Sequence, residues 1–329
     1  MTRLAIIGAG AWGTALALAA RRAGGDVAMW ARSAAIAVAV SEYHENPLYL
    51  PGVALDPAIS ATTELAAVVA SADAALIAVP AQFLRGTLAG FAAALPASLP
   101  LLLCAKGIET GSLKTMAEVV AEMRPAARLA VLSGPSFAAE VARDLPTAVV
   151  IAGRDPSLVR FFATALGNPR FRAYLSEDVT GVELGGAVKN VLAIACGIVN
   201  GLRLGDNARA ALITRGLAEM TRLGLAKGAR AETFAGLSGL GDLVLTCCGG
   251  LSRNHALGVA LGHGRSLDEA LAGTRFVVEG VASAASIASL AVSLQVEMPI
   301  VAAVDAVLHR GMAIAPMIDG LLARPRRSE

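Results

Sequence analysis

The feature that most constrains this chain is Gly8-Ala9-Gly10-Ala11-Trp12-Gly13, set directly after the apolar run Leu4-Ala5-Ile6-Ile7 and ahead of an alanine- and leucine-rich helical pattern. A lone GxGxxG says little, but between a strand and a helix it acquires a physical role. Gly8 permits a tight turn, Gly10 lets the backbone approach a pyrophosphate, and Gly13 lets helix and strand pack closely. The helix N-terminus then turns N–H groups and a partial positive charge toward the phosphates. The segment implies a bound dinucleotide; an ordinary glycine-rich turn is the alternative.

The first two-thirds of the chain alternates short apolar runs with helical patterns, as βαβ units on a parallel sheet do. Residues 4–7 read as the first strand, 14–23 as a helix stopped by Gly24-Gly25, and 26–30 as the second strand. Residues 74–79, 101–104 and 130–132 show no alternation, which suits strands buried on both faces. Residues 147–151 and 171–175 read as later, antiparallel strands. After Asp178 the strand signal gives way to Ala/Leu/Gly-rich helical stretches. The expected fold is α/β: an N-terminal Rossmann-type doubly wound sheet over residues 1–178, followed by an all-α C-terminal domain over residues 179–329.

With 329 residues the chain has room for two such domains. Its 55% hydrophobic content and mean hydropathy of +0.62 raise the question of a membrane. Much of that content is alanine, and no window offers the roughly 20 uninterrupted apolar residues of a spanning helix. The most suspicious stretch, 281–296, is broken by Ser283, Ser286, Ser289, Ser293 and Gln295 and reads as a buried small-residue helix. No basic segment or cleavage site precedes the first strand, so no secretion signal is expected. Cys104, Cys196, Cys247 and Cys248 lack CxxC spacing, which argues against zinc and for a reducing cytoplasm. A net charge of +2 makes no case for nucleic acid, and Arg324-Pro325-Arg326-Arg327 reads as a solvated end.

Arg32 closes the second strand, where an NAD site usually offers an acid to the ribose; here no acid follows the strand before Glu42. An arginine there stacks on adenine or pairs with a 2′-phosphate, favouring NADPH, unless it is merely exposed. Lys106 follows a buried strand, at the end of the sheet where ligands bind, with a solvated loop lysine as the alternative. Lys189 is the one charge between Leu184 and Leu202, flanked by Gly185, Gly186 and Ala193. Burying it is costly unless it serves chemistry or finds a partner, or unless it snorkels to water. Carbonyl reduction needs a proton donor to the developing alkoxide, and a lysine can supply it. Asp242 is placed to orient that lysine or to cap a helix. Ser252-Arg253-Asn254 sets a guanidinium beside an amide, an anion-binding combination. His44, His255, His263 and His309 fall outside all these segments, so neither a histidine mechanism nor a metal site is indicated.

Taken in order, Gly8 to Leu16, Asn46 to Gly52, Cys104 to Glu109, Ser133 to Val141, Lys189-Asn190-Val191, Gly236 to Leu243, Ser252 to Asn254 and Val278-Glu279-Gly280 carry a resemblance. Over essentially its full length the chain resembles the bacterial NAD(P)-dependent glycerol-3-phosphate dehydrogenases. The resemblance implies reversible reduction of dihydroxyacetone phosphate to sn-glycerol 3-phosphate, the entry to glycerophospholipid synthesis, with Arg32 favouring NADPH over NADH. It implies Lys189 as general acid/base, and Lys106, Gly134, Ser136, Lys189, Asp242, Ser252, Arg253 and Asn254 at the substrate. Gly8, Gly10, Ala11, Trp12, Gly13, Arg32, Lys106, Ala138, Arg253, Val277 and Glu279 are the expected cofactor residues. One departure is His255, where the family often continues with another arginine, which puts an auxiliary charge contact in doubt.

Two alternatives stand beside this reading. One is another two-domain Rossmann dehydrogenase, of the β-hydroxyacid dehydrogenase or ketopantoate reductase type, which also uses a helix-borne lysine. The other is a sensor that binds NAD(P)H without turnover. The expectation is completed by a small-molecule substrate, a cytoplasmic location, no membrane insertion and a homodimer, since two-fold assemblies are common.

Overall fold

The computed structural model describes residues 1–92, 94–273 and 276–324. The chain divides into two compact units, residues 1–106 with 114–183, and residues 107–113 with 184–329.

Unit 1 is built on an eight-stranded sheet. Its strands are β1 (Arg3–Ile7), β2 (Asp26–Trp30), β5 (Ser60–Thr62), β6 (Ala74–Ile77), β7 (Leu101–Leu103), β8 (Leu129–Ser133), β9 (Thr147–Ala152) and β10 (Phe171–Ser176). A separate hairpin pairs β3 (Glu45–Asn46) with β4 (Leu50–Ala54). The sheet order is β10-β9-β8-β7-β6-β1-β2-β5. The chain winds outward on both sides of β1 and β6, and β1, β2, β5, β6, β7 and β8 pair in parallel. Such a reversal of winding opens a crevice at the carboxyl ends of the central strands. The expected reversal near the end is present: β9 runs antiparallel to β8, while β10 runs parallel to β9.

Side chains alternate across the central strands, and both faces are apolar. Leu4, Ile6, Leu76, Leu102 and Leu132 pack with α1 (Ala11–Arg22), α2 (Ala34–Glu42), α6 (Ala138–Ala142) and α7 (Pro156–Leu166). Ala5, Ile7, Ile77, Leu101, Leu103 and Val131 pack with α3 (Leu65–Val69), α4 (Leu84–Gly90) and α5 (Met116–Met123). Each buried Leu or Ile is worth about 1.5–3 kcal/mol, so this two-sided core explains why these strands lack polar alternation.

Unit 2 carries no strand among the described residues. Its helices are α8 (Val179–Gly201, which begins in unit 1), α9 (Asp206–Ala226), α10 (Ala231–Ala235), α11 (Asp242–Cys248), α12 (Arg253–Gly262), α13 (Leu267–Leu271), α14 (Glu279–Ser293), α15 (Pro299–His309) and α16 (Ile314–Leu322). Over Leu184 to Val199 every residue of α8 is buried, and Val188, Val191, Leu192 and Ile194 centre the unit's core. By length and composition α8 is apolar enough to cross a membrane, but the qualifying window lies wholly inside the protein. It is a core helix, buried along its length where the 281–296 helix is buried along one face.

Several details depart from the sequence reading. The start of α8 stays with unit 1, because Val182 packs in the unit 1 core and Glu183 accepts the Ala117 N–H at 2.8 Å. The first helix starts at Ala11 and not at Thr14, since Gly10 serves as its N-cap and Gly13 lies within its first turn. The 281–296 helix spans Glu279–Ser293 and is buried along one face only, with Val292 exposed. Arg324 is ion-paired to Glu297 at 3.0 Å; Pro325, Arg326 and Arg327 lie outside the described residues.

Candidate active site

In unit 1 the loop after β1 has the geometry its glycines suggest. Gly8 has φ of +118°, and a Cβ there would stand 2.9 Å from the Ala78 backbone at the end of β6. A Cβ on Gly13 would overlap the Gly8 carbonyl oxygen. At Gly10 the space a Cβ would fill is open, and no side chain caps the helix. The first-turn N–H groups of Ala11, Trp12 and Gly13 therefore face a cradle fit for a pyrophosphate. At the end of β2, Arg32 and Ser33 are exposed, and the Ser33 hydroxyl caps none of the N–H groups of α2.

Sequence reasoning missed how this loop is braced. Asn46, fully buried on β3, donates through Nδ2 to the Ala9 carbonyl at 3.0 Å and to Thr14 Oγ1 at 2.8 Å. Its Oδ1 accepts the Tyr49 N–H at 3.3 Å. The available signal was the Asn-Pro turn pattern, which says nothing about contacts 37 residues away.

Three predicted residues meet beyond β7 and β8. Lys106 Nζ and Ser136 Oγ both donate to the Gly134 carbonyl, each at 2.9 Å. Gly134 has φ of +125°, and a Cβ there would press on the Val149 backbone at 3.0 Å, so this position requires glycine. Ala138 opens α6, which begins four residues beyond Gly134.

In unit 2, Lys189 is 7% exposed, and its Nζ donates to Asp242 Oδ1 at 2.5 Å and to Thr246 Oγ1 at 2.9 Å. Thr246 donates its own proton to the Asp242 carbonyl at 2.6 Å, which leaves a lone pair for the lysine. Asp242 is not the N-cap of α11; Gly241 is, and Asp242 is the first helical residue with its carboxylate on Lys189. The preceding Leu237–Gly241 forms a π-turn, and a Cβ on Gly185 would overlap the Ser238 carbonyl oxygen. The backbone ahead of Asp242 therefore seats on α8 one turn before Lys189. Thr246 escaped the sequence reading, although its spacing of four from Asp242 puts both on one helix face.

The Ser252-Arg253-Asn254 segment is arranged differently from expectation. Ser252 caps α12 by accepting the His255 N–H at 3.2 Å. Arg253 is exposed, lies over the Phe276 ring at 5.6 Å and donates to the Val277 carbonyl at 3.2 Å. Its charge also senses Glu279, so three predicted residues gather here. Asn254, by contrast, is buried. It donates to Asn190 Oδ1 at 3.0 Å and accepts the Gly280 N–H at 2.9 Å. Consecutive helical residues project roughly 100° apart, so the guanidinium and the amide do not form a side-by-side pair. His255 turns to Asn200 at 2.9 Å, and Arg209 donates to Asn200 Oδ1 at 3.1 Å. Burial first, and then the Arg209 charge, hold His255 below its ordinary pKa.

A Rossmann-type unit with a pyrophosphate cradle and a helical unit with a buried, hydrogen-bonded lysine define a dinucleotide-dependent oxidoreductase. The family model for the NAD-dependent glycerol-3-phosphate dehydrogenase N-terminus matches residues 3–159, and that for its C-terminus matches residues 178–319. The chain belongs to the NAD-dependent glycerol-3-phosphate dehydrogenase family. It is 54% identical over 326 residues to the glycerol-3-phosphate dehydrogenase (NAD(P)+) of Rhodospirillum rubrum, covering 99% of this chain and 93% of that one. It is also 54% identical to the Caulobacter vibrioides protein of the same description, covering 99% and 98% of the two chains. The crystal structure of glycerol-3-phosphate dehydrogenase from Coxiella burnetii superposes with a TM-score of 0.94 at 39% identity, covering 98% of this chain and 99% of that one. These matches set aside the β-hydroxyacid dehydrogenase and ketopantoate reductase alternatives.

Proposed function

We propose that this chain catalyses the reversible NAD(P)H-dependent reduction of dihydroxyacetone phosphate to sn-glycerol 3-phosphate. The observation that carries the reading is Lys189, a lysine enclosed in an apolar helical core with its Nζ held by Asp242 and Thr246. When bound, the reduced nicotinamide supplies hydride to the carbonyl carbon. Lys189 holds a proton at Nζ and gives it to the carbonyl oxygen as charge develops there, taking it back in the reverse direction. Asp242 and Thr246 fix the direction of Nζ, so little orientation is left to chance.

Gly8, Gly10, Ala11, Trp12, Gly13, Arg32, Lys106, Ala138, Arg253, Val277 and Glu279 serve the cofactor. Lys106, Gly134, Ser136, Lys189, Asp242, Ser252, Arg253 and Asn254 serve the substrate, with Asn254 offering the amide hydrogen it does not give to Asn190. Arg253 takes the phosphate with a planar fork that a lysine lacks. NADPH is the favoured cofactor, supported by exposed Arg32 and the uncommitted Ser33 hydroxyl. The product is the phosphorylated glycerol backbone used by glycerophospholipid synthesis. Four free cysteines, of which Cys104, Cys196 and Cys247 are buried, support a reducing cytoplasmic setting. A homodimer completes the proposal on the frequency of two-fold assemblies.

The test is turnover of dihydroxyacetone phosphate with NADPH and with NADH, followed by nicotinamide absorbance. Phosphate-dependent oxidation of the reduced cofactor is expected. Activity confined to a non-phosphorylated hydroxyacid, or binding without turnover of any substrate, would overturn the reading.

A further inference from the structure

The β3–β4 hairpin stands outside the main sheet, yet it is firmly anchored: Leu50, Val53 and Leu55 lie in the core of unit 1. From this anchored platform the buried Asn46 side chain reaches α1. Its two acceptors are informative by position. With Gly10 as the N-cap, Ala9 is the residue before the cap and Thr14 is the fourth residue of the helix. These are the two positions that a hydrophobic staple joins to fix how a chain enters a helix. The second of these positions holds the polar Thr14 rather than an apolar residue, and Gly10 supplies no capping side chain. Asn46 spans both positions with one amide nitrogen, at 3.0 Å to Ala9 O and 2.8 Å to Thr14 Oγ1. The Tyr49 N–H on Asn46 Oδ1 fixes which end of the amide is the donor.

We propose that Asn46 is a positioning residue for the cofactor: a polar staple that holds the first turn of α1 in phosphate-binding geometry. This rests on the dehydrogenase reading above and extends it to a residue in neither its catalytic nor its ligand set. The reasoning is mechanical. The N–H groups of Ala11, Trp12 and Gly13 act on a pyrophosphate only if all three point into the same cradle. That alignment depends on the peptide entering the helix, whose carbonyl Asn46 holds. Thr14 N–H closes the first helical hydrogen bond, to Gly10 O at 2.9 Å, and the Thr14 side chain is itself fully buried. Both ends of the first turn are thus tied to one side chain, and that side chain to a hairpin seated in the core.

The test uses the full chain with two substitutions, Asn46→Ala and Thr14→Val. The primary readout is direct NADPH binding by fluorescence. Adenosine 2′-phosphate, which lacks the pyrophosphate, is measured by competition, and the unfolding temperature of the ligand-free protein is recorded. For Asn46→Ala the NADPH Kd is expected to rise about tenfold, the equivalent of roughly one oriented hydrogen bond. For Thr14→Val, which spares the Ala9 bond, the rise is about threefold on the same basis. Adenosine 2′-phosphate binding should stay within about twofold, and in turnover the effect should fall on KM for NADPH rather than on KM for dihydroxyacetone phosphate. An unchanged NADPH Kd in a folded Asn46→Ala protein overturns the proposal. So does an equal weakening of adenosine 2′-phosphate or of the ketone, which would mark general loosening. Should Asn46→Ala fail to fold, Thr14→Val decides: no rise refutes the staple. A wild-type protein that binds NADPH but reduces no ketone would sink the dehydrogenase reading, while the binding series would still judge Asn46.

Discussion

Glu183 provides a sharp physical test of unit 1. Its carboxyl is 7% exposed and accepts the Ala117 N–H at 2.8 Å, near the start of α5. Burial, the largest influence, raises its pKa from the ordinary 4.5 to about 7, with neighbouring Glu118 adding to the rise. The folded state therefore keeps this proton across a pH range where the unfolded chain has lost it. Because the folded pKa is the higher one, stability falls as pH rises from 4.5 toward 7, and the loss saturates above that. At 1.36 kcal/mol per pH unit, the interval corresponds to roughly 3 kcal/mol at pH 8 and under about 1 kcal/mol at pH 5. Glu183→Gln keeps an oxygen for the Ala117 N–H and removes the titration. Urea unfolding of both proteins, followed by circular dichroism at a series of pH values, reads the difference directly. Glu219, also pushed up to about 7 by burial, is common to both proteins and cancels. The variant should match the wild type near pH 5 and exceed it by about 3 kcal/mol at pH 8. A stability difference that is flat between pH 5 and 8 would refute the reasoning.

Three further outcomes follow from the site. Arg32→Ala should lower kcat/KM for NADPH by about 10- to 100-fold, the loss of one charged hydrogen-bond partner, and leave NADH within about threefold; equal losses for both cofactors would remove Arg32 from the 2′-phosphate. Gly185→Ala forces a methyl into the Ser238 carbonyl oxygen, so unfolding should show a cost of about 1–3 kcal/mol and kcat should fall as Asp242 shifts from Lys189. A normal kcat in that variant would show that the π-turn does not set the lysine. Arg253→Ala should act mainly on KM for the phosphorylated ketone, because phosphate binding is partly uniform binding energy. An unchanged KM would move the phosphate elsewhere.

The legible parts of this protein are those where local chemistry and fold agree. Strand β1, the glycine loop and β6 could be read because a strand buried on both faces leaves an unbroken apolar run, and because each glycine answers a separate steric demand. The first turn of α1 was hidden for the same reason: glycine is a poor helix former, so Gly10 and Gly13 disguise the helix they begin. Strand β4 contains Pro51 and Gly52, and β5 is three residues long, so neither shows a period. In the site, Lys189 stood out as the one charge between Leu184 and Leu202, and Asp242 could be read as an acid that orients it or caps a helix, whereas Thr246 gave no signal. Asp242 lies 53 residues away and Thr246 lies 57 away, and only packing brings them together. Asn254 is the converse case. The sequence sets it beside Arg253, but the helical twist turns its amide inward to Asn190 and Gly280, a placement that only the packed helices reveal.

The central claim is that Lys189 moves the proton in an NADPH-dependent ketone reduction. Its most direct test is Lys189→Ala, assayed with dihydroxyacetone phosphate and NADPH beside a measurement of NADPH affinity. Loss of general acid catalysis should lower kcat by about 10²- to 10⁴-fold. NADPH affinity should remain within a few-fold. A variant that keeps its kcat would show that another group or water supplies the proton, and the account of this site would be wrong.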